Sequence, residues 1–199
     1  AFFTHYGRDI SQLAFVFPNR RAGLFFQKYL SEEAVQPLFS PKILTINDLF
    51  VQLSGKTLAD KMSMLFKLYE IYLQRSGADE TFDQFIYWGE MLLGDFDDID
   101  KYMVDARKLF TNVTDLRMLD VGYGFLSDEQ IAAIRTFWSS FYPQEKSKHQ
   151  NNFLSIWEVL YDIYEALRTS LTAEGKGYEG MIFREVVEEL KQGKPLELP

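Results

Sequence analysis

Cysteine is absent from the 199 residues. No disulfide framework and no thiolate metal site can be built from this chain, which fits a cytoplasmic protein. Histidine is almost absent too: only His5, near the start, and His149, in a polar stretch. A histidine-based catalytic pair or metal site is therefore not expected. No apolar run reaches the ~20 residues that span a bilayer, and no signal-peptide pattern opens the chain, so a membrane is not an expected partner. Positive charge is in deficit, with 21 Lys and Arg against 29 Asp and Glu and a net charge of -8. That excludes a protein that coats nucleic acid through bulk charge and confines any such contact to a local patch. No internal repeat or low-complexity segment is evident.

What the chain does have is apolar bulk: 47% hydrophobic residues, with 18 Phe and 11 Tyr. This is enough to bury a substantial core in one large domain or two small ones, and it excludes a disordered chain.

The organising stretch is Leu13 to Leu30, LAFVFPNRRAGLFFQKYL. Leu13 to Phe17 is a short continuous apolar run, the length of a strand buried on both faces of a parallel sheet. Pro18 stops it, since proline cannot donate to a ladder. Asn19 is a good N-cap, and Arg20 to Leu30 repeats apolar residues (Ala22, Leu24, Phe25, Phe26, Tyr29, Leu30) as a helix with a broad buried face. The unit is strand, tight turn, helix. Ligands of open α/β sheets sit outside the carboxyl ends of the strands, where a helix N-terminus offers free amides to an anion. Arg20 and Arg21 add forked donors suited to phosphate. The competing reading is a surface turn whose arginines are only solvated.

Lys42 to Thr45 is a second short strand, expected parallel to the first because a helix lies between them. Thr45 or Asn47 caps a helix to about Leu53. From Leu58 to Leu190 the pattern is helical: Leu58–Ser76 with Gly77 as C-cap, Thr81–Leu93, Asp105–Leu119, Ser127–Tyr142 with a capping box, Phe153–Ala173 and Tyr178–Leu190. The organisation predicted is a mainly helical α/β chain. Residues 1–55 form a partial sheet of two strands, too few for a complete one. Residues 56–192 are all-α, and 193–199 lead towards a further strand. Ala1 is not an initiator methionine, and the stretch before Gly7 reads as the tail of a helix.

Several motifs fail on inspection. Ser54-Gly55-Lys56-Thr57 ends like a phosphate-binding P-loop, but the first glycine that loop needs would fall at Phe50, and the segment follows a helix. Gly55 reads as a helix C-cap. Asp95, Asp97, Asp98 and Asp100, with Glu90, cannot form a calcium loop, because Ile99 occupies a ligand position and the central glycine is missing; they read as the solvated face of a helix. Glu174-Gly175-Lys176 has the E-x-K spacing of PD-(D/E)xK nucleases without its strand or P-D partner. Trp88, Trp138 and Trp157 could stack on bases, but their helical spacing reads as core.

Phe15-Val16-Phe17-Pro18-Asn19-Arg20-Arg21-Ala22 resembles motif Ia of superfamily 1 helicases, roughly T-F-T-N-K-A-A. Phe17, Asn19 and Ala22 match; Pro18, Arg20 and Arg21 replace threonine, lysine and alanine. Leu44 to Phe50 resembles motif Ib, T-F-H-S-L, in Thr45 and Leu49, with Asn47 and Asp48 replacing histidine and serine. Together with Trp88-Gly89-Glu90, Asp95 to Asp100 and Tyr178 to Met181, nearly the whole chain is similar to the N-terminal region of AddB-like subunits of bacterial helicase–nucleases, in the form found in Bacteroidetes. The resemblance implies a partial RecA-like sheet with an inserted all-α subdomain. It implies DNA contact through Pro18, Asn19, Arg20, Arg21, Thr45 and Asn47, with single-stranded DNA and an AddA-type helicase–nuclease subunit as partners. The implied role is DNA handling in double-strand-break repair and recombination. The parent subunit would be a helicase/exodeoxyribonuclease, but this stretch carries neither motif I nor nuclease residues, so it is expected to have no activity of its own. No cofactor is expected within it, ATP and magnesium belonging to the parent only if motifs elsewhere are intact. The alternatives are a helical interaction scaffold without DNA contact, or a fragment of a working ATPase.

Overall fold

Four apolar residues, Ala14–Phe17, form strand β1 and pair in parallel with β2, Lys42–Thr45, in the register Ala14↔Lys42 to Phe17↔Thr45. The computed structural model describes residues 6–34, 37–110 and 148–195, except for the side chains of 7, 8 and 148–158. Helix α1, Arg20–Glu33, connects the two strands, and α2, Ile46–Ser54, follows β2. A 3-10 helix, Gly7–Gln12, precedes β1. Helix α3 spans Lys61–Ser76, α4 Phe82–Lys101, α5 Lys148–Ala173 and α6 Glu179–Lys191. A helical stretch also begins at 106. The remainder of the expected Asp105–Leu119 helix, all of Ser127–Tyr142 and the stretch before Tyr6 lie outside the described residues.

The chain divides into two compact units, residues 1–59 with 172–199, and residues 60–171. The boundary expected between 55 and 56 thus falls between 59 and 60, and the last helix belongs with the sheet. A second parallel ladder explains that return. β3, Thr57–Leu58, pairs with β4, Lys176–Gly177. Leu58 to Leu190 is therefore not wholly helical. Two-residue strands have no periodicity to read, and their partner is more than a hundred residues away.

In the first unit β1 is not buried on both faces. Val16 is 42% exposed, whereas Phe15 and Phe17 point inward onto Phe26 of α1, with ring centroids 4.6 and 5.3 Å apart. Exposure alternates along β1, while Leu44 of β2, the register partner of Val16, is buried, so the outer face is open at β1 and covered at β2. Gly23 brings α1 close to β2: a Cβ there would sit 2.8 Å from Cγ2 of Ile43. Phe50 of α2 packs on Phe183 of α6 at 4.4 Å.

In the second unit the core is aromatic. Phe85, fully buried, meets Tyr69, Tyr72 and Trp88, with centroids 5.0–5.3 Å apart. Tyr72 donates to Oε2 of Glu80 at 2.9 Å, and burial, with the Glu80 carboxylate adding, pushes its phenol pKa up. Helix α4 runs eight residues past the expected Leu93 and absorbs the acidic cluster. Phe96 and Ile99 turn inward, but so does Asp100, which is fully buried. It accepts from the Tyr164 hydroxyl and lies 3.4 Å from Nη1 of Arg168, which in turn donates to the Tyr164 oxygen at 2.6 Å.

Candidate nucleic-acid interface

Parallel pairing in register brings the two strands to an end at one edge, and the helix that follows each starts there. Asn19 caps α1 from an extended backbone, its Oδ1 accepting the Ala22 amide at 2.9 Å. Thr45 caps α2 through a capping box: Thr45 Oγ1 accepts the Asp48 amide at 3.1 Å, and Asp48 Oδ2 accepts the Thr45 amide at 3.0 Å and its hydroxyl at 2.7 Å. These reciprocal bonds satisfy amides that the first helical turn would otherwise leave open.

All six residues singled out from sequence therefore lie at this edge, but in two roles. Asn19 and Thr45 have their side-chain oxygens committed to the helix starts. Pro18, Arg20, Arg21 and Asn47 are exposed. Neither arginine side chain forms a hydrogen bond or ion pair among the described residues; Arg20 acts on Asp48 only through its charge. Asn47 donates to Oε1 of Glu179 at the start of α6. The edge thus carries two guanidinium forks, two helix N-termini and two carboxylates, Asp48 and Glu179. Phosphate oxygens can be held by the forks and the helix ends, but the carboxylates offset part of the field. That arrangement suits a few contacts to a polyanion rather than deep capture of one anion.

The Thr45 hydroxyl and amide, followed by the nearby Arg20 charge, hold the Asp48 carboxyl below its ordinary value of 3.8. A carboxylate depressed in the folded state adds stability above its unfolded pKa and loses it as pH falls through the folded one. Asp48→Asn should therefore be less stable than wild type at pH 7, with the gap closing below pH 3.8. Urea titrations of both proteins across that range check this; a gap that persists unchanged to strong acid would exclude Asp48 as its source.

The rejected motifs find other roles. Gly55 is the left-handed C-cap of α2, with φ 65°. Lys56, only 11% exposed in its side chain, pairs with Glu185 of α6, and Thr57 opens β3. A helix running into a strand is the reverse of a P-loop. Glu174 and Lys176 pair with each other at 3.1 Å across the turn into β4. Among the described residues no group of three His, Cys, Asp or Glu is arranged to hold a metal. Trp88 is half-buried, edge-on to Tyr72 and Phe85. His5, Trp138 and the side chains of His149 and Trp157 lie outside the described residues.

One surface beside the edge runs against the sequence reading. Leu24, Phe25 and Tyr29, expected in the buried face of α1, are 65%, 52% and 60% exposed. The buried side is that of Gly23, with Phe26 on the strands. The available signal was Lys28, which shares a face with Leu24 and Phe25 at helical spacing. Among the described residues, no helix is long and apolar enough to cross a membrane. No protein-family model, no curated protein and no solved structure matches the chain.

Proposed function

We propose that this chain is a helicase-like, non-motor DNA-handling module of an AddB-type helicase–nuclease subunit, working beside an AddA-type subunit on single-stranded DNA in double-strand-break repair and recombination. The motif resemblance supplies the family. The observation that supports it is the common edge of β1 and β2, where Pro18 to Arg21 and Thr45 to Asn47 stand together with both arginines exposed. In this reading the sheet edge is a RecA-like ledge for a few phosphates. The scaffold reading needs the arginines consumed by acids of this chain, and only the charge interaction between Arg20 and Asp48 favours it.

The test is an anisotropy titration of the 199-residue chain with labelled oligo-dT at low salt. Wild type should bind weakly, at or beyond the ~10⁻⁴ M end of non-specific affinities. Arg20→Ala/Arg21→Ala should weaken binding about tenfold. For each phosphate the arginines no longer neutralise, the log–log salt slope should also flatten by about 0.7. Equal binding and equal salt slopes for the two proteins would hand the edge to the scaffold reading.

A further inference from the structure

We propose that the outer face of α1 is a track on which bases of a single strand stack. It rests on the DNA reading above and extends the strand path from the arginine edge along the helix. Phe25 and Tyr29, four residues apart, lie on one side of the helix and are 52% and 60% exposed, with Leu24 beside them at 65%. Arg21 stands one turn before Phe25, and Lys28 lies between the two rings in sequence, both cations exposed. The rings cannot simply be turned inward by rolling the helix. Gly23 is packed against Ile43 with no room for a Cβ, and Phe26 already fills the space over Phe15 and Phe17.

Charge selects the occupant. The chain carries a net charge of -8, yet Arg20 to Leu30 holds Arg20, Arg21 and Lys28 and no acid. Acids return only at Glu32 and Glu33. Lys28 reaches Glu32 at 3.9 Å with side chains 63% and 55% exposed, an exposed pair too weak to occupy the lysine. Aromatic faces interleaved with cations fit a partner with flat π faces on an anionic backbone, which is single-stranded nucleic acid. Spacing selects single over double strand. Residues four apart are separated by about 6 Å along a helix, whereas stacked bases in a duplex are about 3.4 Å apart. Successive bases on the two rings must part from each other, as only a flexible strand permits.

The experiment uses the 199-residue chain, oligo-dT, an abasic strand of equal length and a duplex, at low salt. Phe25→Leu/Tyr29→Leu keeps the apolar bulk and removes the rings. It should bind oligo-dT about tenfold more weakly, the scale of one stacked base, while melting like wild type. Wild type should bind the abasic strand and the duplex about as weakly as the variant binds oligo-dT. As a second variant, F25W should retain binding, and the indole it introduces should be quenched by oligo-dT. Unchanged oligo-dT binding in the leucine variant, an abasic strand that binds like oligo-dT, or an unquenched indole would overturn the track. If Arg20→Ala/Arg21→Ala still weakens binding in that case, the arginine edge survives without it; no oligo-dT binding by any form removes both. A self-association of wild type that the leucine variant abolishes would assign the face to a second copy and overturn the proposal.

Discussion

Asp100→Ala is expected to destabilise the helical unit by about 3–5 kcal/mol, the usual cost of removing one partner from a buried charged pair. Asp100 is fully buried in α4, and its carboxylate takes the Tyr164 hydroxyl and faces Arg168 of α5. Without it, the Tyr164 hydroxyl and a guanidinium only 24% exposed lose the carboxylate that both face. The Arg168 guanidinium also lies over the Tyr164 ring at 5.2 Å, which keeps the cation beside the place the carboxylate vacates. Asp100→Asn should lose less, because an amide oxygen still accepts from the tyrosine. Guanidinium unfolding followed by circular dichroism measures both. A loss below ~1 kcal/mol for the alanine variant would show that removing the carboxylate leaves no uncompensated buried charge behind.

Phe85→Ala should cost a similar ~3–5 kcal/mol by a different route, an apolar void. The ring is wholly buried against Tyr69, Tyr72 and Trp88. Its edge lies over Gly89 so closely that a Cβ at that glycine would be 2.4 Å from Cε1. Close packing of this kind leaves few ways for neighbours to collapse into the space. Phe85→Leu refills part of it and should recover about half the loss. Denaturation followed by tryptophan fluorescence is the measurement, since Trp88 borders the void. Equal stability of the alanine and leucine variants would mean that the site relaxes freely, and that packing at Phe85 contributes little beyond apolar transfer.

Much of the local structure was legible in the sequence, for one reason. Strand–turn–helix at Leu13 to Leu30, the second strand at Lys42 to Thr45, the N-caps Asn19 and Thr45, and the C-caps Gly55 and Gly77 all depend on residues within four positions of each other. Short-range hydrogen bonds and the φ freedom of glycine are written where they act. So was most of the candidate edge: once two strands run parallel with a helix between them, whatever follows each strand must emerge on the same side.

Other features required the tertiary fold. Three consecutive apolar residues, Leu24 to Phe26, offer α1 more than one inner face. The close approach of Gly23 to Ile43 chose it, leaving Leu24, Phe25 and Tyr29 outside. Asp100 looks like its exposed neighbour Asp98 until Tyr164 and Arg168, more than sixty residues on, supply the partners that make burial tolerable. Asn47 with Glu179, Lys56 with Glu185, and the ladder of Thr57–Leu58 with Lys176–Gly177 join positions over a hundred residues apart. The sequence by itself determined what depends on neighbours along the chain: strands, caps and the edge they share. Only the tertiary structure decided which helix face is buried, which carboxylate is enclosed and where the chain returns. Those outcomes depend on groups that chain folding brings together, and neither periodicity nor composition encodes such pairings.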